Sequence, residues 1–562
     1  MKHPYYILGL AAALAVATPS FAQNDGDRND GKYNPTVSGS IQSDMLAPTG
    51  SQSDGSHEDF RTNTFVDLNV MSKYIDAGAR FEYREHQLPG YEDGFKGYGV
   101  PYVYLKAKLK NFEVTVGNFY EQFGSGFVLR TYEERSLGID NSLLGARIVT
   151  TPVKGVRLKA LTGQQRRYWA HNDSWVSGAD VELSLDSWFK GLAQSGTSLT
   201  LGGSFVNKNE RNDEDVPFNG NYRLVMPRNV NAWDARVTLN THGFNVLAEY
   251  AQKTADPSFK NNYIYRKGTA AMLSASYSKK GFSVLAQAKR SDNFFFNSYR
   301  AESDRQSAIN HLPAFTMDQT YALAALYPYG TRLDGEWAYQ GQLGYKFKRK
   351  TAIGGKYGMM VKVNFSHVRG IDQNPRSLTV NVPEPTVLTG KGTDGYGSAF
   401  WKWGKGGMYY QDLNVQIDRR FTRDFKLSLM YMNQFYNKTA VEGEGGMIHS
   451  NIFIADALFN LSPKTRLRTE LQYLTTGEDE HDWLFALAEL SLVPHWMFTV
   501  SDQYNVGLTD AHYWQTFVTY NTGAHRVQLG WGRTRAGFNC SGGVCRYVPE
   551  TKGFTLSYNY NF

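Results

Sequence analysis

The chain has 562 residues, of which 14% are Phe, Trp or Tyr and 54 are Gly, at a mean hydropathy of −0.46. A formal net charge of +7, with no basic cluster interleaved with aromatics, gives no footing for nucleic-acid binding. Beyond the N-terminal segment no apolar run approaches the roughly 20 residues a membrane helix needs.

The first 22 residues, "MKHPYYILGLAAALAVATPSFA", place a lysine before an apolar run and small residues at Ser20 and Ala22. This pattern predicts a cleaved secretory signal peptide over 1–22, and the absence of a following Cys argues against a lipid anchor. Residues 23–35 read as a flexible mature N-terminus, and 36–562 as a single domain.

From residue 36 onward the chain alternates apolar and polar residues in segments joined in pairs by tight turns. "YVYLKAKLK" turns into "FEVTVGNFY" at Asn111, and "ARVTLNT" into "FNVLAEYAQ" at His242-Gly243. "LNVQIDRRF" turns into "FKLSLMYMN" through Thr422-Arg423-Asp424. Between pairs lie longer polar connections, among them 86–97, 123–141, 208–228, 291–332 and 370–406. Short turns alternating with long loops predict an all-β fold: a single large antiparallel up-and-down transmembrane β-barrel with short periplasmic turns and long extracellular loops. The count is about 24 strands within a range of 22–26. It has to be even, because both termini fall on the periplasmic side.

The face opposite the aromatics is polar. It carries Arg80, Glu82, Arg84, Lys106, Lys108, Arg157, Lys159, Arg466, Arg468 and Glu470, which are expected to face the lumen. Acids and bases share this face, so the wall is expected to pair with itself or with inserted loops. Trp496, Tyr513, Trp514 and Trp531 near strand ends are expected in interfacial girdles.

The densest stretch is "GNFYEQFGSGFVLRTYEERSLGIDNS", over 117–142. Arg130, Tyr132, Glu133, Glu134, Arg135 and Asp140 in it are candidates for a pore constriction, because so charged and aromatic a loop can fold inward and pair with the wall. Glu478 to Asp482, in "TGEDEHDW", read as a solvated acidic tip. No catalytic motif groups Ser, His and Asp, no metal or cofactor is expected, and an enzyme is not expected. Cys540 and Cys545, with four residues between them, predict a small disulfide loop in an oxidising compartment.

The C-terminus, "GFTLSYNYNF", has aromatics at every second position and a final Phe. A closing strand paired to "TVSGSIQSDM" accounts for it. Its Tyr558, Tyr560 and Phe562 also resemble the signal that the barrel-insertion machinery of outer membranes reads.

Together with "GGVCRYVPE", the 117–142 stretch resembles a family of outer-membrane proteins of Bacteroidota that carries only a domain-of-unknown-function label. The resemblance implies the outer membrane of a Gram-negative bacterium, with outer-membrane lipids around the barrel. It supplies no substrate and no site. A barrel of this size, with no plug-sized segment ahead of its first strand, is expected to be a porin-like channel for small polar solutes, any plug having to come from the long loops over 291–332 and 370–406 or from another protein. The alternative is a closed barrel that binds a surface or periplasmic partner through loops such as "DNFFFNSYR" and "GYGSAFWKWGKGGMYY".

Overall fold

The computed structural model describes residues 35–49, 60–211, 216–219, 221–302, 306–380, 382 and 386–562; the expected signal peptide and residues 23–34 lie outside them. Among the described residues, 24 strands pair into one closed sheet. Every neighbouring pair is antiparallel. Thr36–Pro48 pairs with Arg61–Met71 on one side and Thr551–Asn561 on the other, with Ser40 opposite Asn561 and Pro48 opposite Gly553. The fold is the expected transmembrane barrel, closed by its first and last strands.

Closure draws on local chemistry at the seam. Gly39 and Phe562 exchange backbone hydrogen bonds at 2.9 and 3.0 Å, so the terminal residue is held in register. A Cβ on Gly39 would stand 2.5 Å from Phe562 Cζ, so the aromatic ring occupies the space that glycine leaves.

Strand parity sorts the side chains. Leu413, Leu429, Phe453, Leu471 and Leu484 lie exposed on the outer face, while Asp412, Asn414, Gln434, Ser450 and Gln472 on the same strands are buried toward the lumen. Aromatic pairs border the apolar band at both ends. Trp233–Tyr250 (5.7 Å between centroids) and Trp514–Trp531 (4.6 Å) mark the long-loop end. Phe244–Tyr277 (4.3 Å), Phe425–Phe459 (4.9 Å) and Trp496–Tyr520 (4.6 Å) mark the other. Tyr513 departs from the expected girdle. Its ring lies 6.0 Å from Trp483 on the luminal side, because it occupies the opposite parity to Trp514.

The alternation of loop lengths has exceptions. At the short-turn end, Ser184 to Thr197 carries a helical turn, Lys190–Gln194, and a long connection, 348–358, joins Gly335–Phe347 to Met359–Ile371. At the long-loop end, Val156–Arg167 joins Ala170–Ser184 through Tyr168 and Trp169 alone. Tyr168 takes a φ of 56° there, with its hydroxyl donating to Glu92 at 2.7 Å and its ring edge-on to Phe95. A neighbouring loop thus holds what length alone would not have placed.

The packed core lies inside the barrel. Two apolar clusters fill the lumen at the long-loop end, each built from inward wall residues and loop residues.

Candidate functional site

The chain leaves the wall at the end of Phe112–Phe119 and re-enters at Leu143–Thr150. The intervening loop turns inward. Phe123, Phe127, Val128 and Leu129 are fully buried against Val176, Val206, Val230 and Ala251 of the inner wall. The bend that brings them there uses Gly124 (φ 51°), where a Cβ would meet the Glu249 carboxylate at 2.9 Å. Glu249, on the wall strand Phe244–Lys253, accepts hydrogen bonds from the Ser125 backbone N–H at 3.1 Å and from its hydroxyl.

The loop's charges are bonded to the wall. Arg80 reaches Asp67 at 2.7 Å, Glu133 at 2.9 Å and Asp140 at 3.2 Å. Arg166 bonds Asp140 at 2.5 Å and both carboxylate oxygens of Glu82 at 2.9 Å, and Arg84 shares Glu82 Oε2 at 3.2 Å. Arg135 links Asp67 at 2.9 Å and Glu133 at 2.7 Å. Glu82 and Arg166 are essentially without solvent exposure, so these pairs act in a low-dielectric interior where each charge depends on its partner. Burial pushes the Asp140 carboxyl up, but the Arg166 and Arg80 guanidiniums outweigh it and hold Asp140 below the ordinary range. Glu133 goes the other way, since burial there outweighs Arg80 and Arg135 and leaves it raised.

Of the six constriction candidates, Glu133, Arg135 and Asp140 are thus ties between loop and wall. Arg130 lies over the Tyr132 ring at 4.8 Å, and Glu134 accepts hydrogen bonds from Ser136. The charge and aromatic density of the sequence points to this loop. It does not mark Asp67 and Arg166, which complete the network from other strands and carry no local signal of that role.

A second loop, 293–334, supplies most of the remaining filling. Phe294, Phe296, Ile309 and Leu312 join the first cluster. Phe315, Leu323, Leu326, Tyr327 and Tyr329 pack on Tyr410, Met432, Ile452 and Leu474 of the far wall in the second. Arg130 N–H donates to Ile309 O at 2.8 Å and His311 N–H to Gly126 O at 3.0 Å, locking the two loops together. Phe294 and Phe296 belong to "DNFFFNSYR", so those two rings are core of the plug and not docking surface. The aromatic density of that stretch was the available signal. Trp401, from the other quoted loop, is 82% exposed.

Nearer the short-turn end the inner wall pairs with itself. Lys108 meets Asp76 at 2.6 Å, and Lys106 and Arg157 meet Glu113 and Glu182, each at 3.8 Å, while Lys159 reaches Glu121 of the in-folded loop at 2.8 Å. Arg468 bonds Asp456 at 3.1 Å and also pairs with Glu470. Arg466 lies exposed near the turn. Cys540 and Cys545 form a disulfide inside the hairpin Gly537–Ser541/Val544–Val548. In the acidic tip, Asp479 is bound by Lys438 at 2.7 Å and by the Tyr327 hydroxyl at 3.0 Å. Tyr558, Tyr560 and Phe562 lie on the closing strand and at its end, with Tyr560 stacked on His525 at 4.2 Å and on Phe562 at 5.4 Å.

A family of unknown function, DUF6029, matches residues 2–562. The chain belongs to this family. No curated protein matches this DUF6029 chain. Solved structures similar to it include the P pilus usher (PapC) translocation pore, 9% identical over 94% of this chain and 99% of that one, with a TM-score of 0.46. The siderophore receptor PirA from Pseudomonas aeruginosa is 10% identical over 94% and 81% of the two chains, at 0.43. OccAB3 of Acinetobacter baumannii is 8% identical over 94% and 99%, at 0.33. At these values the likeness is to barrel architecture alone.

Proposed function

We propose that this DUF6029 barrel is a non-enzymatic outer-membrane channel for small polar solutes, kept narrow by two in-folded loops. The observation that carries this reading is the anchoring of loop 117–142 inside a wide, charged lumen by ion pairs to the wall. Barrels of 16 to 18 strands already enclose an aqueous passage, so one of this size needs internal filling to restrict what crosses. The chain reaches the outer membrane of a Gram-negative cell after loss of its signal peptide. Its insertion machinery reads Tyr558, Tyr560 and Phe562, and outer-membrane lipids contact the aromatic girdles.

One observation favours a second reading, a docking barrel with a closed pore. Phe218, Val225, Val387 and Leu388 lie exposed around a small surface sheet, Val216–Asn219, Tyr222–Leu224 and Leu388–Gly390. Single-channel recording in planar bilayers separates the two. The channel reading expects small, steady openings for the wild-type chain, growing several-fold when residues 126–138 are replaced by a short Gly-Ser linker. Silence from both proteins, each folded, overturns the channel and leaves docking, which copurification from mildly solubilised membranes then tests.

A further inference from the structure

At the long-loop end a cavity of about 590 Å³ lies between the two in-folded loops, the turn after Lys438–Glu442, and the disulfide hairpin. Its volume is in the range of small-molecule sites. Tyr132, Phe295, Tyr436 and Phe538 give it aromatic walls. The hairpin is fixed as one side of it. Thr331 N–H donates to Gly543 O at 2.8 Å, Gly542 N–H to Asp318 at 3.2 Å, and Arg546 to Pro89 O at 3.0 Å.

The polar atoms lining the cavity are unevenly satisfied. Asn310 is 4% exposed, and its amide N–H donates to Phe294 O at 3.0 Å, yet its Oδ1 has no protein partner. Thr331 Oγ1 is likewise buried without one. A buried acceptor left unpaired is destabilising, so an occupant bringing a donor recovers that loss. Glu442, which already accepts the Tyr436 hydroxyl at 2.7 Å, and Glu444 add carboxylates to the lining. The two strong bases in the lining are both engaged: Arg332 is committed to Asp334 at 2.7 Å and to the Ala440 carbonyl, and Lys260 has a partner of its own. Unpaired acceptors, carboxylates and aromatic faces together favour a donor that is also a cation.

We propose that this cavity binds small solutes carrying a protonated amine on an apolar or aromatic body, whether or not the barrel conducts. The test is isothermal titration calorimetry on the purified full-length protein in detergent at pH 7.5. The probes are 2-phenylethylamine and 2-phenylethanol, which share a body and differ in the charged donor. Saturable binding of the amine, about tenfold or more tighter than the alcohol, is expected, since one charge-assisted hydrogen bond is worth that much. Glu442→Gln should weaken the amine severalfold and leave the alcohol unchanged, and Asn310→Leu should weaken the amine too. No saturable binding of the amine to the wild-type protein, or equal affinity for both probes, overturns the proposal without reference to any variant. An amine affinity unchanged in both variants assigns the binding to another place and overturns it as well.

Discussion

Arg166 is the side chain on which the loop–wall network turns. Replacing it with Met leaves Glu82 with Arg84 and Arg80, and Asp140 with Arg80 as its cation beside the neutral donors Tyr120 and Ser142. Losing one partner of a buried ion pair typically costs about 3–5 kcal/mol. Arg166→Met should therefore free loop 117–142 to open, with faster protease cleavage inside it while the barrel stays folded and resistant to heat in detergent. Unchanged cleavage would show that the apolar cluster alone holds the loop. His311 makes a second prediction at this scale. Burial, with Arg130 and Lys289 nearby, drives its imidazole down to about 3, against about 6.5 when unfolded. Its neutral form is thus required by the packed plug. Above about pH 6.5 this requirement adds no penalty, and between about 6.5 and 3 stability falls by about 1.4 kcal/mol per pH unit. Cleavage in the 293–334 loop should rise over that window, and His311→Gln should flatten the rise; an equal slope in the variant would remove His311 as the cause.

At the scale of elements, the closing strand is decisive. Thr551–Asn561 joins both His525–Thr534 and Thr36–Pro48, so its loss opens the sheet and exposes two edges. Removing Phe562 deletes the seam's last exchanged hydrogen bonds and the ring that fills the space at Gly39. Deletion of Phe562 should lower the amount of folded barrel in outer-membrane fractions, and Gly39→Val should do so by crowding the same ring. If Gly39→Val matches wild type while the deletion fails, recognition of the terminal residue matters and packing at the seam does not. The strands themselves were legible because a two-residue period is a strong local signal wherever one face meets lipid and the other water. Tyr513 shows the limit. A Tyr near a strand end reads the same on either face, and only its register against Trp483 decides.

For the whole molecule, the lumen is divided along its axis: apolar plug and buried ion pairs at one end, self-paired charges at the other. The conductance experiment belongs here, because passage depends on the sum of the loops and not on any single residue. Loop 117–142 could be suspected from its mixture of charge and aromatics. Loop 293–334 is legible in sequence only as one of the long connections from which a plug could come, since "FFF" there reads equally as exposed or buried until a wall is placed opposite it.

The sequence by itself determined the closed antiparallel barrel, a strand number between 22 and 26 and the sorting of its two faces, because these follow from short-range alternation and from the need to satisfy every backbone group in a membrane. It also marked the cysteine pair and the terminal strand, whose signals are local. Only the tertiary structure decided that both loops enter the lumen, that Arg166 and Asp67 meet the loop's acids and Arg135, and that Asn310 faces a cavity beneath the hairpin. Those contacts join residues far apart in the chain, and their energy depends on burial that exists only once the barrel has closed around them.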